Sequence, residues 1–426
     1  MLFKPTLHKL SNGVTVILDP MDIESVNVRV YFETGSRDEQ PSEYGLTHFC
    51  EHMLCRGTHR FPDSQYRKDF LENNGGYSGA GTNLMYIQFH GRIIAENLDV
   101  LIDVIADEIN DSLFDEKKIE IERNVVLDEL HRNMDNKGRV MSGFVDKSLF
   151  GLYVPNGLLV LGNPENIKSF TREQMLDFVQ RRLTANNCEI IISGKIKDLD
   201  ATLAQLEKVF AGLPKHDVSK NTDITYTPTV AHDFIQQQNT IYLDVMFPEI
   251  WPDLYENRFK NKCVRKFETF ARRELMKKLR HEMGLVYGVY KLANGNEQFC
   301  VNGFGTQSSP ENIQQIMAIM SKTLYDIYTN VPITTEDLIR FRNAAKLGDA
   351  DFLESASERA GMLWDFYHRF GKVYDLDQSI RMSESITVDD IRENTRGYFD
   401  GQMSIITHGA KQCDADLKQI WVDNFK

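Results

Sequence analysis

The chain has 426 residues, 42% of them hydrophobic, enough for two ordinary domains. A net charge of −13 and a pI near 5.4 argue against a nucleic-acid binder, and the sequence holds no run of about eighteen apolar residues to make a membrane span. Six cysteines, at 50, 55, 188, 263, 300 and 413, form no C-x-x-C pair, so neither a cysteine metal site nor a disulfide framework is indicated. Residues 1–10 hold no long apolar run and no arginine, and a cytoplasmic location is expected.

In chain order, residues 7–10 and 14–18 flank Asn12-Gly13 and read as a hairpin. Val26, Val28, Val30 and Phe32 alternate, which predicts a strand with one buried face. Residues 45–54 then place three polar groups, His48, Glu51 and His52, in an apolar helical run. On a helix His48 and His52 lie one turn apart with both imidazoles on one face. Two neutral imidazoles at that spacing make half of a tetrahedral zinc site. Glu51 is badly placed to be a third ligand, but it can reach a water on the metal, as a general base does in metal-assisted hydrolysis. The order H-x-x-E-H is the inverzincin arrangement. Cys50 points away from this face and is expected to pack.

The metal helix should end near Gly57, and another should run over 63–74. Residues 77–93 read as one strand with a glycine-rich start, Gly75, Gly76, Gly79 and Gly81, and glycine in a strand lets another backbone approach. Helices follow over 94–110, 115–133 and 136–150. In the second of these Ile119, Glu122, Val126 and Glu129 fall close to one side, with the two carboxylates two turns apart. A charged, solvated helix is the bland account of this pattern. The neighbours Ile119, Val126 and Leu130 suggest burial instead, and a buried carboxylate pair wants a cation. Glu129 would complete a His-His-Glu site with one position open to water, and Glu122 would orient a ligand from behind. A loop at 154–164 precedes a helix from Thr171, a buried strand at 189–194 and a helix over 199–210.

Residues 212–232 lose apolar periodicity. Beyond them the helix–turn–strand–glycine pattern of 171–194 recurs at 387–409, an offset of about 215 residues. The expected fold class is therefore α+β: two homologous domains, 1–213 and 233–426, joined by a linker at 214–232, each a mostly antiparallel sheet packed with helices. In the second copy residues 256–262 stand where the metal motif should fall and contain no histidine, so no metal is expected there. Residues 279–288 end a long helix and enter a strand. They carry Arg280, with five donors, and Tyr287, with a hydroxyl; an arginine at such a place most often serves the helix dipole or a salt bridge. His90, His131, His281, His368 and His408 show no partner at ligand spacing and read as structural.

Taken together, residues 35–39 (Gly-Ser-Arg-Asp-Glu), the H-x-x-E-H segment, Gly57-Thr58 and the Glu122–Glu129 spacing resemble the insulinase/pitrilysin family of zinc metallopeptidases, which includes mitochondrial processing peptidase. The likeness runs over nearly the whole chain. It implies one Zn2+ per chain on His48, His52 and Glu129, with Glu51 as the base acting on zinc-activated water and Glu122 as a supporting acid. It implies that Gly79, Ala80, Gly81 and Thr82 lie on a sheet edge that pairs with the substrate peptide, although Gly79-Ala80 stands where the family usually has Asn-Ala. Arg280 and Tyr287 would bind substrate carbonyls and stabilise the oxyanion.

Large members of the family close four such domains around the substrate. A two-domain chain is therefore expected to form a homodimer, each active site being completed by the second domain of the other subunit. The closed chamber would admit peptides or unfolded segments. The implied activity is that of a zinc endopeptidase or oligopeptidase. A non-catalytic scaffold, or a partner subunit of a heteromeric processing peptidase, is the alternative, and the complete metal motif favours the enzyme.

Overall fold

A computed structural model describes residues 3–221, 224–234, 239–250, 255–295, 299–330, 332–409 and 415–426; Cys413 and residues 222–223 of the expected linker lie outside them. The chain divides into two compact units. The first comprises Met1–Gly143, Leu152–Ile224 and Asp349–Tyr374, and the second Phe144–Gly151, Thr225–Gly348 and Asp375–Lys426.

The first unit is built on a six-stranded sheet: β1 (Thr6–Lys9), β2 (Thr15–Pro20), β3 (Ser25–Phe32), β4 (Gly76–Thr82), β5 (Ile87–Ile94) and β6 (Cys188–Gly194), in the order β1-β2-β6-β3-β5-β4. β2 and β6 run parallel, and the remaining pairs are antiparallel. The Asn12-Gly13 turn sets Thr6 opposite Leu18, and Gly13 takes the positive φ of 109° that such a turn asks of glycine. Residues 77–93 are not one strand. They form the hairpin β4–β5, because the Asn83 side chain accepts the backbone N–H groups of Met85 (2.7 Å) and Tyr86 (2.9 Å) and turns the chain. Gly35 packs against this turn: a Cβ there would stand 2.4 Å from the Leu84 carbonyl oxygen.

Along residues 46–209 run the helices α1 (Leu46–Leu54), α2 (Ser64–Asn73), α3 (Leu98–Asn110), α4 (Glu116–Met134), α5 (Lys137–Phe150), α6 (Pro164–Ser169), α7 (Arg172–Arg182) and α8 (Leu199–Val209). The β3 residues Val26, Val28, Val30 and Phe32 are buried in one core with Phe49 of α1, Leu101 and Ile105 of α3 and Phe178 of α7. Full burial of such a side chain stabilises by about 1.5–3 kcal/mol relative to exposure.

The second unit repeats the plan. Its sheet holds β7 (Val230–Phe234), β8 (Ile241–Ile250), β9 (Val289–Gly295), β10 (Phe299–Ser308) and β11 (Ser404–Gly409), in the order β7-β11-β8-β10-β9, with β7 and β11 parallel. That is the order β2-β6-β3-β5-β4 of the first sheet. The remaining helices are α9 (Arg258–Met276), α10 (Ile313–Asn330), α11 (Thr335–Glu354), α12 (Ala356–Phe370), α13 (Leu376–Ser385), α14 (Val388–Asn394) and α15 (Leu417–Asn424). The repeat extends to capping: Thr171 accepts from Gln174 N at the start of α7, and Thr387 from Asp390 N at the start of α14, each within a capping box.

The compact units depart from a contiguous division of the sequence chiefly through α12, which packs with the first unit. Its Arg359 donates through Nε to Asp19 Oδ2 at 2.7 Å, both side chains fully buried. Trp364 stacks on Tyr31 at 4.1 Å, and Ala360 and Leu363 meet Ile17 and Ile191. The expectation of one buried face on β3 is corrected here. Tyr31 and Asn27, on the face away from the core, are also buried, because α12 covers a side that the alternating pattern left to solvent.

Candidate metal centre and active site

α1 starts at Gly45, whose φ of 94° admits the helix only without a side chain; a Cβ there would also stand 2.7 Å from the Leu161 carbonyl oxygen. The first turn of α1 is capped from a distance. Glu39 accepts the N–H groups of Gly45 (2.9 Å) and Thr47 (2.8 Å), and burial pushes its carboxyl up to about 8. Sequence reasoning assigned Glu39 no role. Its signal was an acid shortly before a helix start, but the loop that folds it back onto α1 is not written in any local pattern.

The helix sets His48 and His52 one turn apart, as the spacing predicted. Their Nε2 atoms face each other at 3.2 Å. Glu129, from α4, brings Oε2 to 3.5 Å from His52 Nε2 and 3.8 Å from His48 Nε2. Ligands held about 2.0–2.1 Å from a tetrahedral zinc stand roughly 3.3–3.4 Å from one another, so the three atoms already mark three corners of a zinc tetrahedron. Two imidazoles and one carboxylate leave the fourth corner open, the donor set of a catalytic rather than a structural site. One catalytic Zn2+ per chain fits here.

Glu122, two turns before Glu129 on α4, accepts from or pairs with His52 Nδ1 at 2.9 Å through Oε1, and its Oε2 meets Arg56 Nε at 2.9 Å. Glu122 thus touches His52 from behind the metal-facing nitrogen, and Arg56 is a partner that spacing did not reveal. Burial and the neighbouring His52 charge push His48 down to about 4. Burial also works against protonation of His52, but the hydrogen bonds to Glu122 and Glu129 outweigh it and raise this imidazole to about 9. The bond from His52 keeps Glu129 below the ordinary carboxylate range. Glu51 is buried, which raises its carboxyl, and its Oε2 accepts from Thr82 Oγ1 at 3.3 Å. Cys50 is fully buried, with its thiol directed at the Met175 carbonyl at 3.8 Å, and burial lifts it far above reactive range.

Gly79, Ala80, Gly81 and Thr82 lie on β4, the edge strand of the first sheet, bonded to β5 on one side. Nothing lies within 4 Å of a Cβ built on Gly81. In the second unit Arg280 sits in a π-helical turn, Lys277–Glu282, that closes α9. Its guanidinium lies 4.8 Å from the Tyr287 ring centre, and Tyr287 is 85% exposed. Among the described residues the second unit holds no cluster of metal-ligating side chains. His368, read as structural, meets Glu33 and Glu189, two acids no spacing argument connects to it.

A His-His-Glu centre braced by a second acid, on a duplicated α+β chain, defines a zinc metallopeptidase. The model of the insulinase family, peptidase family M16, matches residues 15–153, and that of the M16 inactive domain matches residues 169–345. The chain belongs to peptidase family M16 and is a zinc-dependent metalloendopeptidase. It is 25% identical over 92% of its length to an uncharacterized zinc protease of Rickettsia felis, covering 94% of that protein. Its fold matches that of a protease from Helicobacter pylori (TM-score 0.80, 17% identity, 96% of this chain and 100% of that one). It also matches the periplasmic protease PqqL from Escherichia coli (TM-score 0.82, 16% identity, all of this chain and 51% of that one). The expected cytoplasmic location is overturned by this last likeness, since the same fold over the whole chain serves a periplasmic protease. Among the described residues no helix is long and apolar enough to cross a membrane.

Proposed function

We propose that the chain cleaves peptides and unfolded segments with Glu51 as its general base. The observation that carries this reading is the position of Glu51. It is buried on the same helical turn as His48 and His52 and hydrogen-bonded to Thr82 of the edge strand. Zinc, when bound, supplies a Lewis acid that polarises the scissile carbonyl and acidifies water. Burial raises the Glu51 carboxyl above the ordinary carboxylate range, which makes it a stronger base to take a proton from the attacking water and return it to the leaving amine. β4 pairs with the substrate backbone through its edge away from β5. Arg280 and Tyr287 supply donors to the substrate carbonyl and its oxyanion. Two chains form a homodimer, each active site taking its Arg280 and Tyr287 from the other subunit. The chamber so formed excludes folded proteins.

Glu51→Gln tests the base directly. It should bind zinc as the wild type does and lose turnover by at least a hundredfold, in line with the usual weight of general-base catalysis. Full turnover in that variant would refute the mechanism.

A further inference from the structure

Glu33, just after β3, Glu189 of β6 and His368 of α12 meet on the face of the first sheet that α12 covers. One donor atom from each lies within 4.8 Å of the other two. His368 Nδ1 stands 2.6 Å from Glu33 Oε1, with side-chain exposures of only 4% and 13%. The Trp364 ring stacks on His368 at 4.9 Å and closes one side. Lys220 pairs with the other oxygen of Glu33. Glu189 is 7% exposed; its Oε2 is buried and makes no close hydrogen bond, and the Trp364 side chain is a donor that bears on the carboxylate. Burial alone drives this carboxyl up to about 7, against the pull of His368 and Trp364.

The His368–Glu33 contact leaves Glu189 Oε2 without a close partner. A divalent cation answers all three groups at once. One imidazole and two carboxylates form an N,O,O set that suits zinc. The His368–Glu33 separation has to open by roughly 0.7 Å to reach a tetrahedral edge, a small swing of a carboxylate. We propose that Glu33, Glu189 and His368 bind a second, non-catalytic Zn2+ that pins α12 to β3 and β6. The site shares no ligand with His48, His52 and Glu129.

The test is Zn2+ binding by the full-length wild type and by His48→Ala/His52→Ala, which lacks the catalytic ligands. Equilibrium dialysis should give two equivalents for the wild type and one for the double variant. Co2+ in place of Zn2+ should quench a tryptophan signal in the double variant that Trp364→Phe removes. Adding Glu189→Gln or His368→Asn to the double variant should weaken the remaining binding at least tenfold. A wild type that stops at one equivalent overturns the proposal whatever the variants do. So does a double variant that unfolds cooperatively in urea yet binds no zinc, or one whose binding ignores both added substitutions.

Discussion

Glu122 Oε1 lies 2.9 Å from His52 Nδ1, and this bond fixes which nitrogen of His52 faces the metal centre. Glu122→Gln keeps the shape but loses the charge that holds the ring and raises its basicity. Zinc affinity should fall by about 10–100-fold, with the fold unchanged. Competition with a metal-buffering chelator measures it, and unchanged affinity would remove Glu122 from the centre.

The same bond makes zinc binding a proton exchange. Without metal, His52 is raised to about 9 and His48 is lowered to about 4, so at neutral pH the pair carries one proton, on His52. Zinc takes only neutral imidazole. Loading at pH 7 should therefore release about one proton, and affinity should fall about tenfold per unit as pH drops below 9. His48 adds a second loss only near pH 4. Calorimetry in buffers of different ionisation enthalpy reads the proton count. Binding heats independent of buffer would contradict the assignment.

Subunit sharing has its own signature. Arg280→Ala should bind zinc normally and lose most turnover, and so should Glu51→Gln. Mixed and allowed to exchange subunits, the two inactive variants should recover about a quarter of wild-type activity per site, because half the dimers are mixed and one of their two sites keeps both intact parts (a random-pairing estimate for isologous dimers). No recovery despite exchange would place Arg280 and the zinc of one site on the same subunit.

Asp19 and Arg359 form a buried pair that ties α12 to β2. Burial raises Asp19, and Arg359 holds it down. Arg359→Met leaves that carboxylate buried and unpaired, at a cost of about 3–5 kcal/mol. The sign with pH follows: in the variant the folded carboxyl rises further above its unfolded value, so the folded state binds more protons and the loss shrinks as pH falls. Adding Asp19→Leu should recover most of the stability. Urea midpoints at pH 5 and pH 8 decide it.

Much of the metal centre was legible because its residues are spaced along single helices. A four-residue step puts His48 and His52 on one face of α1, and a seven-residue step does the same for Glu122 and Glu129 on α4. The duplication was legible through Thr171 and Thr387, since a helix cap is a local signal. What failed was long-range. The pattern of α12 reveals an apolar face but not that it covers β3, so the burial of Tyr31 and the meeting of His368 with Glu33 and Glu189 went unseen. The β4–β5 turn was missed because Asn83, not the preceding glycines, supplies it. The location was misjudged because the composition of residues 1–10 is not an address.

The most direct test of the whole account is digestion of a mixed, quenched-fluorescent peptide library by the full chain with one equivalent of Zn2+, after chelator stripping, and after zinc is restored. The account predicts cleavage with zinc, none after stripping and recovery on reloading, with internal peptide bonds cut. No cleavage by folded, zinc-loaded protein would contradict it.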